Sequence, residues 1–500
     1  MERSVVNTKL AASQPPPINR LQKPEQTNIS LTQDPGITEI LVCEVCCKEC
    51  KGKRGLSLHQ KKCITVHPSI ISSASSPNMS TSGHPETESH DLQSTSEAQI
   101  SDEICGVINN AYEEIVMWKK NLFDLPKGHT GKLFVSNMNK LVMAWINKSP
   151  KRIYALKALM IMPALLLQRT SVKTKTSINK ETLRRRLLLW ESYDGINELL
   201  LECRTLQNRL PKCLPKLCDE EVTKRFTNLM FNGNVKKAVR LLEKEASNGI
   251  LPLNNETLIE LQSKHPKGEP KFDEMLLEGP VENISSVIFD EITSETILKA
   301  AIKTKGSAGP SLYDADDWRN ILGSNLYGED AEDLRKNLAS LAKELCINKV
   351  DDPKSLEALL ACRLIPLDKN PGLRPIGIGE TLRRILGKAV MSVLKRDVKA
   401  SVGNLQHCGG QIGGCEVGVH AVVDMFNDED TEGVIQVDAS NAFNSINRNV
   451  LLHNARIICP QFATYIYNSY CVPARLFIVG GKEIRSCEGT TQGDPVAMPV

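Results

Sequence analysis

Asp438 closes an apolar run, Gly433-Val434-Ile435-Gln436-Val437, and a small-residue turn then leads into Ala442-Phe443. The run reads as a strand. A carboxylate at the C-terminal end of a buried strand points into a cleft, where it can hold a divalent cation for phosphoryl transfer. The plainer reading of the same residue is an Asp that caps the next helix. Two neighbouring segments favour the chemical reading. Upstream, RLIPLDKNPGLRPIGI sets two short strand-like runs about Asn370-Pro371-Gly372, a turn-forming trio. Lys369 and Arg374 flank that turn and can face one anion, such as a triphosphate. Downstream, Gly480-Gly481 marks a tight hairpin between alternating runs, and Thr490-Thr491-Gln492-Gly493-Asp494-Pro495 follows.

A second chemistry lies near the N-terminus. Five of the 16 cysteines crowd into Cys43 to Cys63. Cys43, Cys46, His59 and Cys63 have the spacing of a tetrahedral zinc site, a knuckle carrying two cysteines and one helical face carrying the other pair. Registers that use Cys47 or Cys50 stay open, as does a cysteine-rich patch without metal. Lys48, Lys51, Lys53, Arg54, Lys61 and Lys62 make the segment basic, which suits nucleic acid, although a protein partner is not excluded by one finger alone. The segment resembles the Cys2His2 finger class with cysteine as the fourth ligand.

These residues need elements to position them. Five hundred residues give a prior of about three domains. The composition, 41% hydrophobic and 24% charged, excludes a collagen-like or wholly disordered chain. No aromatic residue precedes Tyr112, so the first hundred residues lack the side chains of a core. Residues 1–42 read as disordered, 43–67 as the finger, and 68–102 as a Ser/Thr-rich linker. Residues 103–272 show apolar spacing of helical period and a basic stretch with Arg169, Lys173, Lys175, Lys180, Arg184, Arg185 and Arg186. That stretch reads either as a solvated helix face or as a surface for a phosphate backbone. From 285 to 500 short strand-like runs (LIPLD, RPIGI, VIQVD, RLFIV) alternate with helices, an α+β texture. The net charge of +3 names no polyanionic partner by itself. The most apolar stretch, ALKALMIMPALLL from Ala155 to Leu167, holds Lys157 and Pro163 and falls short of the ~20 residues of a bilayer span. With no apolar leader either, an intracellular protein without membrane contact is expected.

The K-x4-RPI hairpin, the D-x3-AF box and the QGDP box occur here in the order found in reverse transcriptases, and the segment from about 290 to 500 resembles those of non-LTR (LINE-like) retrotransposons. The resemblance implies a multidomain chain: disordered N-terminus, small zinc finger, all-α extension, then the fingers and part of the palm of a right-hand α+β polymerase. It implies an RNA template, a DNA primer or target, deoxynucleoside triphosphates, catalytic Mg²⁺, structural Zn²⁺ and a nuclear location. Asp438 is similar to the first metal-binding aspartate of the palm, with the carbonyl of Ala439 beside it. Phe443 matches the aromatic that packs at C2′ of the sugar and excludes a hydroxyl; its plainer role is a core ring. Lys369 and Arg374 match the fingers pair that grips the triphosphate, and Gln492 and Gly493 match the loop on nucleotide and template. Gln406 to Gly414 resembles the glycine-containing segment before the palm box. The implied reaction is a two-metal in-line displacement, the primer 3′-oxygen attacking the α-phosphorus.

The match has gaps. Two-metal chemistry needs at least two converging carboxylates, and the Y/F-x-D-D turn that supplies the second set in this family does not occur before Val500. Asp316-Asp317 and Asp351-Asp352 lie upstream in polar contexts and are not substitutes. Asn444 stands where the family often has Asp, and residues 305–318 are a loose version of the entry to the fingers, expected as a strand and turn along the template path. The chain is therefore expected to be a fragment that does not polymerise alone. Two rivals remain. One is a nucleic-acid-binding relic or host-retained protein without catalysis. The other is a viral RNA-dependent polymerase, against which Phe443 and the QGDP box both argue.

Overall fold

The computed structural model describes residues 40–42, 49–51, 102–171, 175–211, 219–243, 249–268, 284–369, 372–403, 407, 413–435, 437–478 and 481–497. Residues 1–95 and 96–500 form two separate units. In the first, β1 (Ile40–Val42) and β2 (Glu49–Lys51) pair antiparallel, Ile40 opposite Lys51 and Val42 opposite Glu49. The expected zinc ligands Cys43, Cys46, His59 and Cys63 lie outside the described residues.

The second unit is a mixed α and β structure, mostly helical, with one four-stranded sheet. It begins with α1 (Asp102–Ile115), α2 (His129–Ile146), α3 (Arg152–Leu166), α4 (Thr176–Trp190) and α5 (Tyr193–Asn208). In α1 the buried Ile108, Ala111, Tyr112 and Ile115 keep to one face at helical spacing. In α3 every residue from Ala155 to Leu166 is buried, so this apolar stretch is a core helix wrapped by its neighbours. Its one cation, Lys157, reaches Asn109 Oδ1 at 2.9 Å and Glu357 at 2.8 Å, which satisfies a buried charge. No described helix is long and apolar enough to cross a membrane.

Next come α6 (Asp219–Phe231), α7 (Val235–Glu243), α8 (Asn255–Ser263), α9 (Ser294–Lys303), α10 (Ala315–Leu322), α11 (Glu329–Ile347) and α12 (Glu357–Leu360). Asp314 caps α10 through the amides of Asp316 and Asp317, and Lys120 bridges Asp314 and Asp317 at 2.6 Å each. Asp352 caps the turn that opens at Pro353. Both upstream Asp-Asp pairs thus sit at helix starts.

The sheet has the order β4-β3-β5-β6, from β3 (Cys362–Asp368), β4 (Leu373–Gly379), β5 (Ala474–Ile478) and β6 (Lys482–Ser486). Pairs β3–β4 and β5–β6 are antiparallel hairpins, and β3 runs parallel to β5. Between them lie α13 (Thr381–Val402), α14 (Gly414–Phe426), α15 (Ala442–Ser445), α16 (Arg448–Ile458) and α17 (Pro460–Tyr470). One face of the sheet packs Leu364, Leu373, Leu476, Ile478 and Ile484 against Leu261 of α8. On the other, Phe477 meets Tyr112 of α1 edge to face, ring centroids 6.1 Å apart. One continuous core takes in α1 to α5 together with α9 to α13, α16 and α17.

Two sequence expectations change. LIPLD, RPIGI and RLFIV form strands, but VIQVD does not: residues 434, 435, 437 and 438 are irregular and exposed, Ile435 at 91% and Val437 at 84%. No described strand lies beside them, and an unpaired strand leaves its amides and carbonyls without a ladder. The basic stretch is also partly internal. Arg186 is fully buried, donates to the carbonyls of Leu166 and Gln168 at 3.0 and 2.7 Å, and pairs with Glu202 at 2.7 Å. Arg185 shares Glu202, and Arg169 Nε donates to the carbonyl of Leu122 at 2.7 Å. These three side chains join helices rather than face a phosphate chain.

Candidate functional site

The hairpin β3–β4 positions the two expected cations. Its register sets Arg374 opposite Leu367, and the Lys369 amide donates to the Gly372 carbonyl at 2.9 Å to close the turn. Both side chains are exposed, as groups that meet a triphosphate must be. Gly372 has φ +87°, and a Cβ added there would stand 3.1 Å from Glu260 Oε1. That oxygen accepts the Leu373 amide at 3.0 Å.

The inner half of β4 forms one wall of a cleft of about 340 Å³. Ile376 to Gly379, Thr491 to Asp494, Ser307, Arg383 and Arg384 line it. Gln492 and Gly493 are among the residues that line this cleft. The loop that carries them is held from behind. Arg383 of α13 pairs with Asp494 at 2.6 Å, both buried. Tyr470 donates to Asp494 at 3.0 Å, and its oxygen accepts the Thr491 amide at 3.4 Å. Burial works against the Arg383 charge, but the Asp494 carboxylate together with Tyr470, Cys362 and Tyr465 more than restores it, so its pKa is raised. The Tyr470 ring lies near both Arg383 and Arg448, its centroid 5.2 and 5.5 Å from their guanidinium carbons.

The opposite rim is fixed through α13. Glu380, fully buried at the head of this helix, accepts the amide and hydroxyl of Ser311 at 2.7 and 2.6 Å. Burial pushes its carboxyl up to about 7, against the pull of the Ser311 hydrogen bonds. Arg384 donates to the carbonyls of Lys305 and Ser307 at 2.9 and 2.5 Å. Residues 305–311 are thus a strapped loop, not the strand the sequence suggests, and Ser307 reaches the cleft.

The D-x3-AF box meets the QGDP arm directly. The Thr490 amide donates to the Phe443 carbonyl at 2.6 Å, and the Gly489 amide to the Ile446 carbonyl at 2.7 Å. The approach requires glycine: Gly489 has φ +67°, and a Cβ would stand 2.0 Å from the Phe443 oxygen. Arg448 clamps the same arm, donating through Nε to the Gly489 carbonyl at 2.9 Å and through Nη2 to Ser486 Oγ at 2.9 Å. Asn441 holds a left-handed conformation, φ +55°, and its side-chain amide donates to the Lys264 carbonyl at 2.7 Å. Phe443 is half-buried; Asp438 and Ala439 are exposed.

The structure thus joins the box at 442–446 to the arm at 489–490, and the arm's loop to β4. Asp438 differs: among the described residues no group of three or more His, Cys, Asp or Glu is placed to hold a metal. Most of Gln406 to Gly414 lies outside the described residues.

Sequence reading missed Arg383, Tyr470, Arg448, Glu380, Glu260 and Gly489. Only Gly489, beside the motif, carried a local signal; the others act on residues distant in the chain. No family model, no curated protein and no solved structure matches the chain.

Proposed function

We propose that residues 285–500 are the fingers and part of the palm of a reverse transcriptase of the non-LTR retrotransposon type, acting on an RNA template, a DNA primer and deoxynucleoside triphosphates. The observation that supports this most is the contact between its boxes, Thr490 on Phe443, with Gln492 and Gly493 facing β4 in one cleft. In this reading Lys369 and Arg374 neutralise the triphosphate, as two charge-assisted donors in one turn can. Phe443, fixed through its own carbonyl, packs at C2′ of the sugar, where a ring leaves no room for a hydroxyl. Gln492 and Gly493 orient the base pair, and Arg383, Tyr470 and Asp494 keep their loop rigid. Asp438 contributes one carboxylate to cation binding. The zinc finger, through Cys43, Cys46, His59 and Cys63, and a nuclear location belong to the same proposal.

A second reading, nucleic-acid binding without catalysis, is favoured by the placement of Asp438 on an exposed, irregular stretch rather than at the end of a strand. One experiment separates the two. Labelled dATP is titrated into the 500-residue chain with a DNA-primed RNA template and Mg²⁺, read by fluorescence anisotropy. The polymerase reading expects binding that needs the primer–template, weakens about tenfold or more in Lys369→Ala and Arg374→Ala, and discriminates against ATP less in Phe443→Val. Nucleic acid binding with no dATP response would leave only the second reading. Primer extension by this chain alone is not expected.

A further inference from the structure

We propose that residues 249–268 form a strap that couples the tip of the β3–β4 hairpin to the box at Asn441, with Glu260 as its positioning residue. At its start the strap adds a rung to the hairpin. The Asp368 amide donates to the Gly249 carbonyl at 3.0 Å, the Leu251 amide to the Pro366 carbonyl at 2.9 Å, and Ile250 bridges Leu367. This edge of β3 is open to it because β5 pairs only with residues 362–364. In the middle, Asn254 caps α8 by accepting the Thr257 amide at 2.7 Å, and Leu261 is buried under the sheet. That packing orients the helix so that Glu260 accepts the Leu373 amide at the hairpin turn. At its end, the Lys264 carbonyl accepts Asn441, three residues after Asp438. Gly268 then lies beside Cys487, where an added Cβ would be 3.2 Å from the Cys487 Cβ.

A helix that merely covered a sheet would need only the apolar contacts. This strap also places hydrogen bonds on the turn that bears Lys369 and Arg374 and on the turn that follows Asp438. A shift of the hairpin tip therefore pulls on Asn441 through α8, a rigid helix of nine residues. The functional meaning rests on the reading above: a triphosphate arriving at Lys369 and Arg374 would be sensed at the box. The coupling itself does not depend on that reading.

Amide hydrogen exchange on the 500-residue chain tests it without any ligand. Glu260→Ala should speed exchange about tenfold at Leu373 and also at Asn444 and Thr490, whose amides bond within the box and its arm. Glu260→Gln keeps a carbonyl acceptor and should restore rates to within about twofold at all three. Faster exchange at Leu373 alone, no change anywhere, or failure of the Gln variant to restore protection would each overturn the coupling. Should Glu260→Ala not fold, Asn441→Gly reads the strap from its other end; glycine accepts the left-handed backbone and deletes only the side chain. Faster exchange at Leu373 in that variant supports the strap, and an unchanged rate overturns it. Adding dATP and Mg²⁺ with primer–template then separates the two proposals. Absence of dATP binding defeats the polymerase reading and leaves the exchange result standing.

Discussion

Between pH 4.5 and about 7 the folded chain is expected to lose stability at one carboxyl, Glu380. Its folded pKa is raised, so the native state binds more protons than the unfolded chain in that window, and ΔG of unfolding falls as pH rises. The stability is fully present below about 4.5 and gone above about 7, a change on the order of 3 kcal/mol. Glu380→Gln, which still accepts from Ser311, should flatten the urea-midpoint profile across that window. A variant profile as steep as the parent's would assign the titration elsewhere. No sequence rule exposes this residue. Its hydrogen-bond partner, Ser311, is 69 positions away, whereas Lys369 and Arg374 were legible because a single local turn places both. Charges that act across one turn can be read from spacing; charges that act across the fold cannot.

At the scale of elements, the arm from Cys487 to Pro495 is held by backbone geometry as much as by side chains. Gly489→Ala must push the arm off the Phe443 carbonyl and also force a left-handed alanine. The expected loss is about 3 kcal/mol or more by urea unfolding. Arg448→Met keeps the length but takes the Arg448 donor from the Gly489 and Val472 carbonyls and from Ser486 Oγ, and should cost about 3 kcal/mol. If either variant stays within about 0.5 kcal/mol of the parent, the contact between box and arm is not what holds the cleft. Three of the four strand-like runs were legible because each has its partner within a hairpin or across the same sheet. The fourth, VIQVD, has the same alternation but no strand beside it among the described residues, and alternation alone does not supply hydrogen bonds.

At the scale of the whole molecule, α1 to α5 share one core with the sheet-bearing half. An ion cluster reinforces the joint. Arg475 of β5 donates to Glu113 of α1 at 2.5 Å and to Glu483 of β6 at 2.9 Å, and it holds the Glu113 carboxyl below its usual range. Removal of residues 102–208 should therefore leave an insoluble remainder rather than an independent sheet-bearing half, which expression and a solubility assay can check. A soluble remainder with a cooperative melt would show that the core is divisible. Arg475→Met should destabilise the full chain by about 1 kcal/mol or more, because the half-exposed Glu113 loses this cation while Glu483 keeps Arg485. The helical period of each segment was legible. That the helices and the sheet fold around each other was not, since periodicity shows which face is buried but never against what.

The exposed residues 434, 435 and 437 and α14 bring a practical consequence. Val419, Met425, Phe426 and Ile435 expose large apolar surface to water within some twenty residues. Such surface binds itself by mass action and more strongly in kosmotropic salts. Light scattering should accordingly rise with protein concentration and with added sulfate. Titrations of this chain with nucleic acid then need dilute stocks in chloride buffers, because in sulfate self-association would draw down the free protein and imitate a weak, salt-sensitive affinity.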